Sequence, residues 1–154
     1  QPVVWRGPLI SGAIKQFWTD ALWGKLDTLL VDLPPGTSDA ALSVINNLPL
    51  NGAILITTPQ DLAGMVVRKA MHLLQELKVP ILGLVENFSY FVCPDCGAQH
   101  EIFGPSHAAE TAAAAGLSGF VRLPVDPAVA AQCDAGQVEL VNFPAIQDVV
   151  SILA

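Results

Sequence analysis

The sequence has few charged residues and no long apolar run. Only 14% of its 154 residues are charged, and seven Lys and Arg against fourteen Asp and Glu give a net charge of -7. A surface that binds nucleic acid needs clustered basic side chains, so nucleic acid is not expected as a partner. No apolar run approaches the roughly 20 residues that span a bilayer, so we expect no membrane segment either.

The three cysteines are too few for a disulfide framework. Two of them, Cys93 and Cys96, are separated by only two residues, a spacing typical of metal or redox sites in a reducing compartment such as the cytoplasm. The apolar fraction of 52% is enough to bury the core of one domain. Because the chain begins at Gln1 and without a leader pattern, we interpret residues 1–154 as part of a single domain of a longer protein.

Short apolar runs alternate with amphipathic segments along the chain. The runs are nearly continuous in apolar character, which is typical of parallel strands buried on both faces; they cover residues 28–32, 53–57, 81–86 and 120–123. Apolar residues at helical spacing, with Pro and Gly at the ends, predict helices at 9–21, 62–77, 106–115, 127–134 and 144–153. This order predicts an α/β fold with a partial doubly wound parallel sheet and flanking helices.

Ligands of such sheets bind beyond the carboxyl ends of the strands, so polar residues at the end of the first strand are early candidates. Asp32 ends that strand, where a carboxylate is able to hold a nucleotide-bound Mg²⁺. Gly36 lets a backbone N–H approach a phosphate closely. The competing interpretation is a rigid turn in which Thr37 or Ser38 caps the next helix.

The later strand ends carry further polar residues. Asn87 follows the third strand, and its amide is able to donate to and accept from a nucleobase edge; an Asn that satisfies local backbone is the alternative. Pro124 and Asp126 follow the fourth strand, and there helix capping is the default interpretation. After the second strand, Thr58 or Asp61 is expected to cap the following helix.

A long segment, residues 87–105, interrupts the alternation and is predicted to be a functional loop. It contains Cys93-Pro94-Asp95-Cys96-Gly97, in which both thiolates are able to face one metal while Gly97 takes a left-handed conformation. A redox pair fits less well, because such pairs open a helix directly after a strand. Two cysteines are half of a four-ligand site, and a symmetric dimer would supply the other half. His100 is a candidate third ligand of a one-chain zinc site, although a lone His in a polar loop is more often simply exposed. Cys133 is interpreted as a packed or incidental thiol.

Seven short motifs cover nearly the whole chain. They are Trp5-Arg6-Gly7-Pro8, Trp23-Gly24-Lys25-Leu26-Asp27, Asp32-Leu33-Pro34-Pro35-Gly36-Thr37-Ser38-Asp39, Thr57-Thr58-Pro59-Gln60-Asp61, Val85-Glu86-Asn87-Phe88-Ser89-Tyr90-Phe91, Cys93-Pro94-Asp95-Cys96-Gly97 and Leu123-Pro124-Val125-Asp126. In this order they resemble the motifs of the Mrp/ApbC iron-sulfur carrier ATPases, relatives of MinD and the nitrogenase iron protein.

The resemblance implies a P-loop ATPase that binds ATP and Mg²⁺ and forms a homodimer through the C-x-x-C segment. It also implies a 4Fe-4S cluster that bridges the two subunits and is delivered to apo iron-sulfur proteins in the cytoplasm. By position, it implies Asp32 as the acid near magnesium, Gly36 and Thr37 as the nucleotide-sensing switch, Asn87 as the adenine reader, Pro124 and Asp126 as the second base-contacting segment, and Cys93 and Cys96 as the cluster ligands.

The sequence departs from the family pattern at the phosphate-binding loop. No G-x-x-x-x-G-K-[ST] pattern occurs in it, so this chain alone is expected to hydrolyse little ATP. One alternative function is a non-enzymatic zinc-knuckle interaction module. The other is a MinD-like positioning ATPase, which predicts a basic amphipathic tail, whereas residues 144–154 contain no Lys or Arg.

Overall fold

The computed structural model describes residues 7–153. Trp5 and Arg6 of the first motif lie outside them. The helices are α1 (Gly7–Asp20), α2 (Asp39–Asn47), α3 (Asp61–Glu76), α4 (Ala108–Ala114), α5 (Pro127–Asp134) and α6 (Ile146–Val150), with a 3-10 turn at Val138–Leu140. The strands are β1 (Ala53–Thr57), β2 (Ile81–Val92), β3 (Gln99–His100) and β4 (Val121–Val125).

Strand β2 is the centre of the sheet. It runs parallel to β1, with Ala53 opposite Ile81 and Thr57 opposite Glu86, and it runs parallel to β4 as well. Since Val85 pairs with both neighbours, β1 and β4 lie on opposite sides of β2. The short β3 pairs antiparallel with the end of β2. The described residues thus have the predicted α/β organisation, with a partly parallel sheet and flanking helices.

The apolar core is formed by side chains of β1, β2, α3 and α4. Its buried members are Leu55, Val67, Met71, Leu74, Leu84, Ala108 and Ala112. The stripe of apolar residues on α3 predicted this packing, because a helix that buries one face repeats its apolar residues every three or four positions. The central position of Leu84, which is fully buried, explains why its strand is apolar on both faces.

The predicted first strand is wrong for this structure. Residues 28–32 form no regular element, and Leu30 is 72% exposed. An apolar run becomes a strand only where a neighbouring strand satisfies its backbone groups. No described residue pairs with this run, and the sheet ends at β1 on that side. Asp32 consequently lies on an exposed, irregular segment.

The segment 87–105 is also not one long loop. Strand β2 continues to Val92, and the chain then turns and returns through β3, so the C-x-x-C sequence forms the tip of a hairpin. Phe88 has a φ of 56°, and the register with β4 shifts between Glu86 and Tyr90. Such an irregularity breaks the period-2 pattern of a strand, so the sequence pattern did not predict that β2 continues beyond residue 86.

Helix caps and boundaries were predicted with mixed success. β1 and α5 have the predicted bounds, and the Ser38 hydroxyl caps α2 by accepting from the Ala41 N–H at 3.2 Å. The predicted cap of α3 is wrong, because Asp61 lies within the first turn and the capping position, Gln60, makes no side-chain cap. Among the described helices, none is long and apolar enough to cross a membrane.

Candidate functional site

The C-x-x-C hairpin is a tight turn held by two backbone hydrogen bonds. The Cys93 N–H donates to the Ala98 carbonyl at 2.9 Å, and the Gly97 N–H donates to the Cys93 carbonyl at 2.9 Å. Gly97 has a φ of 73°, the left-handed conformation that was predicted for it. The turn leaves Cys93 half-buried and Cys96 exposed, so both thiols are near the surface.

The Cys93 thiol is surrounded by hydrogen-bond donors of its own turn. The backbone N–H of Cys96, then that of Asp95, and then the Cys96 side chain hold the pKa of Cys93 below its ordinary value, and slight desolvation opposes them. A lowered pKa favours the thiolate, which is the form that binds metals. The turn therefore favours the form of Cys93 that a metal would bind.

The hairpin provides two sulfur ligands. Across residues 7–153, no group of three or more His, Cys, Asp and Glu side chains is arranged to hold a metal. The one-chain zinc site with His100 is therefore wrong for this structure, because His100 does not join Cys93 and Cys96. Cys133 is exposed on α5, so of its two interpretations, a packed or an incidental thiol, the packed one is wrong. Two thiols on a surface turn fit a metal or cluster shared with a second molecule.

The structure places Asn87 and Pro124 on adjacent strands, β2 and β4, where Pro124 pairs with Tyr90. Each polar candidate there also makes a local contact. The Asn87 side-chain oxygen accepts from the Phe88 N–H at 2.9 Å, and Asp126 caps α5 by accepting from the Ala128 N–H at 2.8 Å. The left-handed φ of Phe88 is strained for a residue other than glycine, and such strain concentrates at functional positions.

The capping role of Asp126 can be tested separately from any contact with a nucleotide. Replacing Asp126 by Ala should lower the free energy of unfolding by about 1 kcal/mol, because an N-terminal donor of α5 loses its acceptor. Asp126→Asn should leave stability nearly unchanged, since Asn caps a helix as well as Asp does. Urea denaturation of both variants measures the difference, and equal losses would contradict the capping role.

The switch candidates lie apart from this pair of strands. Asp32 and Thr37 are exposed in the irregular stretch before α2. Gly36 has a φ of 79°, and a Cβ built on it would lie 3.8 Å from a methyl group of Val66 on α3. Gly36 thus lies beside α3, and the described residues show no contact that joins Asp32 to Asn87 or Asp126.

A polar network that the sequence did not predict lies beside the hairpin. Glu86 is fully buried at the centre of β2, where its carboxylate accepts from the Ser89 hydroxyl at 2.5 Å and from the His107 N–H at 3.2 Å. Arg122 of β4 donates to Ser89 at 2.6 Å and to Glu101 at 2.7 Å. The available signal was one acid at the end of an apolar run and one Arg in an otherwise apolar strand.

A cavity of about 290 Å³ opens at the carboxyl end of β1. Its walls include Thr57, Gln60, Glu86 and His107. This location follows the general rule for ligands of parallel sheets, yet Asp32, Asn87 and Asp126 do not line it. The cavity is therefore lined by the Thr57-to-Asp61 motif and not by the residues predicted to contact the base.

Similarity to known proteins covers nearly the whole chain. Residues 1–153 match the family model described as ParA: NUBPL iron-transfer P-loop NTPase. The iron-sulfur cluster carrier protein of Aquifex aeolicus is 41% identical over 93% of this chain and 39% of its own length. The iron-sulfur protein required for NADH dehydrogenase, mitochondrial, of Arabidopsis thaliana is 42% identical over 93% of this chain and 46% of its own length.

A solved structure supports the same relationship. A nucleotide-binding protein from Archaeoglobus fulgidus, in complex with ADP and with cobalt, aligns with a TM-score of 0.77 and 42% identity. The alignment covers 86% of this chain and 54% of that protein. The chain spans less than half the length of the Aquifex aeolicus and Arabidopsis thaliana relatives.

Proposed function

Because this chain belongs to the NUBPL iron-transfer P-loop NTPase family, we propose that it holds an iron-sulfur cluster and transfers it to apo iron-sulfur proteins. The observation that carries the proposal is the C-x-x-C hairpin, with one exposed thiol and one half-buried thiol of lowered pKa. Relatives of this chain from Aquifex aeolicus and Methanocaldococcus jannaschii are named iron-sulfur cluster carrier proteins, which supports the same cargo.

The cluster requires a second subunit in this proposal. A 4Fe-4S cluster takes four protein thiolates, and the hairpin of one chain offers Cys93 and Cys96. A homodimer with a two-fold axis between the hairpins brings both pairs together. Exposure of Cys96 at the hairpin tip supports this arrangement, because a bridging ligand has to reach beyond its own chain.

We further propose that cluster handling is coupled to ATP. The chain lacks the phosphate-binding loop pattern, so we assign it the C-terminal part of one P-loop NTPase domain, whose phosphate contacts and hydrolysis need residues outside it. In the complete protein, the proposed roles are Mg²⁺ binding by Asp32, phosphate sensing by Gly36 and Thr37, and base contacts by Asn87, Pro124 and Asp126. Free thiols suit a reducing compartment, and we place the carrier in the cytoplasm.

Anaerobic reconstitution of the full-length protein with iron and sulfide tests the proposal. We expect about four iron and four sulfide per two chains, with the mass of a dimer in solution. Iron-free protein that contains zinc after anaerobic purification would instead favour a zinc-knuckle interaction module.

A further inference from the structure

Arg122 lies at the junction of three segments. Its Nε donates to the Ser89 hydroxyl on β2 at 2.6 Å, and its Nη2 donates to Glu101 at 2.7 Å. Its guanidinium carbon lies 5.5 Å from the centre of the Tyr90 ring, which is within range of a cation–π interaction. One side chain of β4 thus contacts the sheet centre and the segment that follows β3.

The inner end of this junction is fixed by a buried charge. The Glu86 carboxylate is fully buried, and the Arg122 Nε lies 3.7 Å from its Oε1. A buried carboxylate is tolerated only with hydrogen bonds and a counter-charge. Arg122 is the one cation within 4 Å of Glu86 in the described part of the chain. The guanidinium position is therefore set by the core of the domain.

The outer end of the junction is the returning arm of the C-x-x-C hairpin. Glu101 follows directly after β3, which has only two residues paired with β2. So short a ladder is marginal on its own. The Phe88 and Phe103 rings add an aromatic contact with centres 6.3 Å apart. The Arg122–Glu101 contact is charge-assisted. On the returning arm, Glu101 is closer in sequence to Cys96 than Phe103 is.

We propose that Arg122 is a positioning residue for Cys93 and Cys96. It acts through Glu101 by holding the returning arm of the hairpin against the sheet, so that both thiols keep one orientation toward the shared cluster. This inference rests on the proposed function as a cluster carrier. Groups that orient metal ligands from outside the ligand shell commonly change metal affinity by about tenfold or more.

The first test is iron release from the reconstituted full-length protein to an excess of ferrous chelator. Arg122→Met should release iron about tenfold faster than wild type. Arg122→Lys should release it at an intermediate rate, because an ammonium keeps the charge beside Glu86 but lacks the planar fork that reaches Ser89 and Glu101 together. Lys15→Met, which removes an exposed cation on α1, is the control and should release iron at the wild-type rate.

Loss of Arg122 also leaves Glu86 without its cation, so a second variant separates hairpin positioning from general stability. Glu101→Ala touches only the outer end of the junction and should speed iron release, with the unfolding midpoint unchanged because the pair is partly exposed. Combining it with Arg122→Met should add nothing to the rate of the single Arg122 variant.

Two results would overturn the inference, and they differ from failure of the proposed function. Wild-type release rates in both Arg122→Met and Glu101→Ala would show that the hairpin holds its thiols without Arg122. Additive rates in the double variant would show that the two residues act separately. A wild-type protein that takes up no cluster would instead refute the carrier function, and the inference with it.

Discussion

Full-length protein in which Cys93 and Cys96 are both replaced by serine is expected to retain less than about a tenth of the wild-type cluster after anaerobic reconstitution, because serine is a poor substitute for a thiolate ligand of iron. The loss should be close to complete, since the described residues offer no other group of metal ligands. Iron and sulfide analysis, together with visible absorption, measures the change.

The matched control for this variant is Cys133→Ser. Cys133 is exposed on α5, so its replacement removes a thiol of similar accessibility and should leave cluster content unchanged. Both cysteines of the hairpin lie near the surface, so the double variant should unfold at the same urea concentration as wild type. Wild-type iron content in the double variant would refute the cluster site, and a loss of cluster in Cys133→Ser would assign a ligand role to α5.

The parts of the fold that the sequence predicted are those decided by local chemistry. β1 has its predicted bounds because residues 53–57 form a short apolar run that ends in polar residues. α5 has its predicted bounds because Pro127 occupies the first turn and Gly136 follows the end. The left-handed Gly97 belongs to the same class, since a tight turn after C-x-x-C requires glycine at that position.

The parts that the sequence missed depend on distant partners. Residues 28–32 are as apolar as a buried strand, but pairing decides whether such a run becomes one, and a sequence pattern does not reveal the partner. Residues 87–92 continue β2 through a left-handed Phe88 and a register shift that conceal the strand period. The network around Glu86 joins residues of β2 and β4 with Glu101 and with His107, which precedes α4, and no local motif contains it.

Glu86 is a position where a single substitution should destabilise the fold strongly. Glu86→Ala should lower the free energy of unfolding by about 3 kcal/mol, because it removes a fully buried acceptor and leaves the Ser89 hydroxyl, the His107 N–H and Arg122 without their shared partner. Glu86→Gln should cost less, since an amide oxygen still accepts one of these bonds. Urea denaturation monitored by circular dichroism gives both values.

The matched control for the Glu86 variants is Glu110→Ala. The Glu110 carboxylate is 86% exposed and lies 3.8 Å from His107, the residue that also contacts Glu86. Because an exposed contact between polar side chains contributes little, this variant should lose less than about 0.5 kcal/mol. Equal losses in Glu86→Ala and Glu110→Ala would show that burial of the carboxylate adds nothing. In that case the contact with Glu86 would not fix the position of the Arg122 guanidinium, and the inner end of the Arg122 junction would not be rigid.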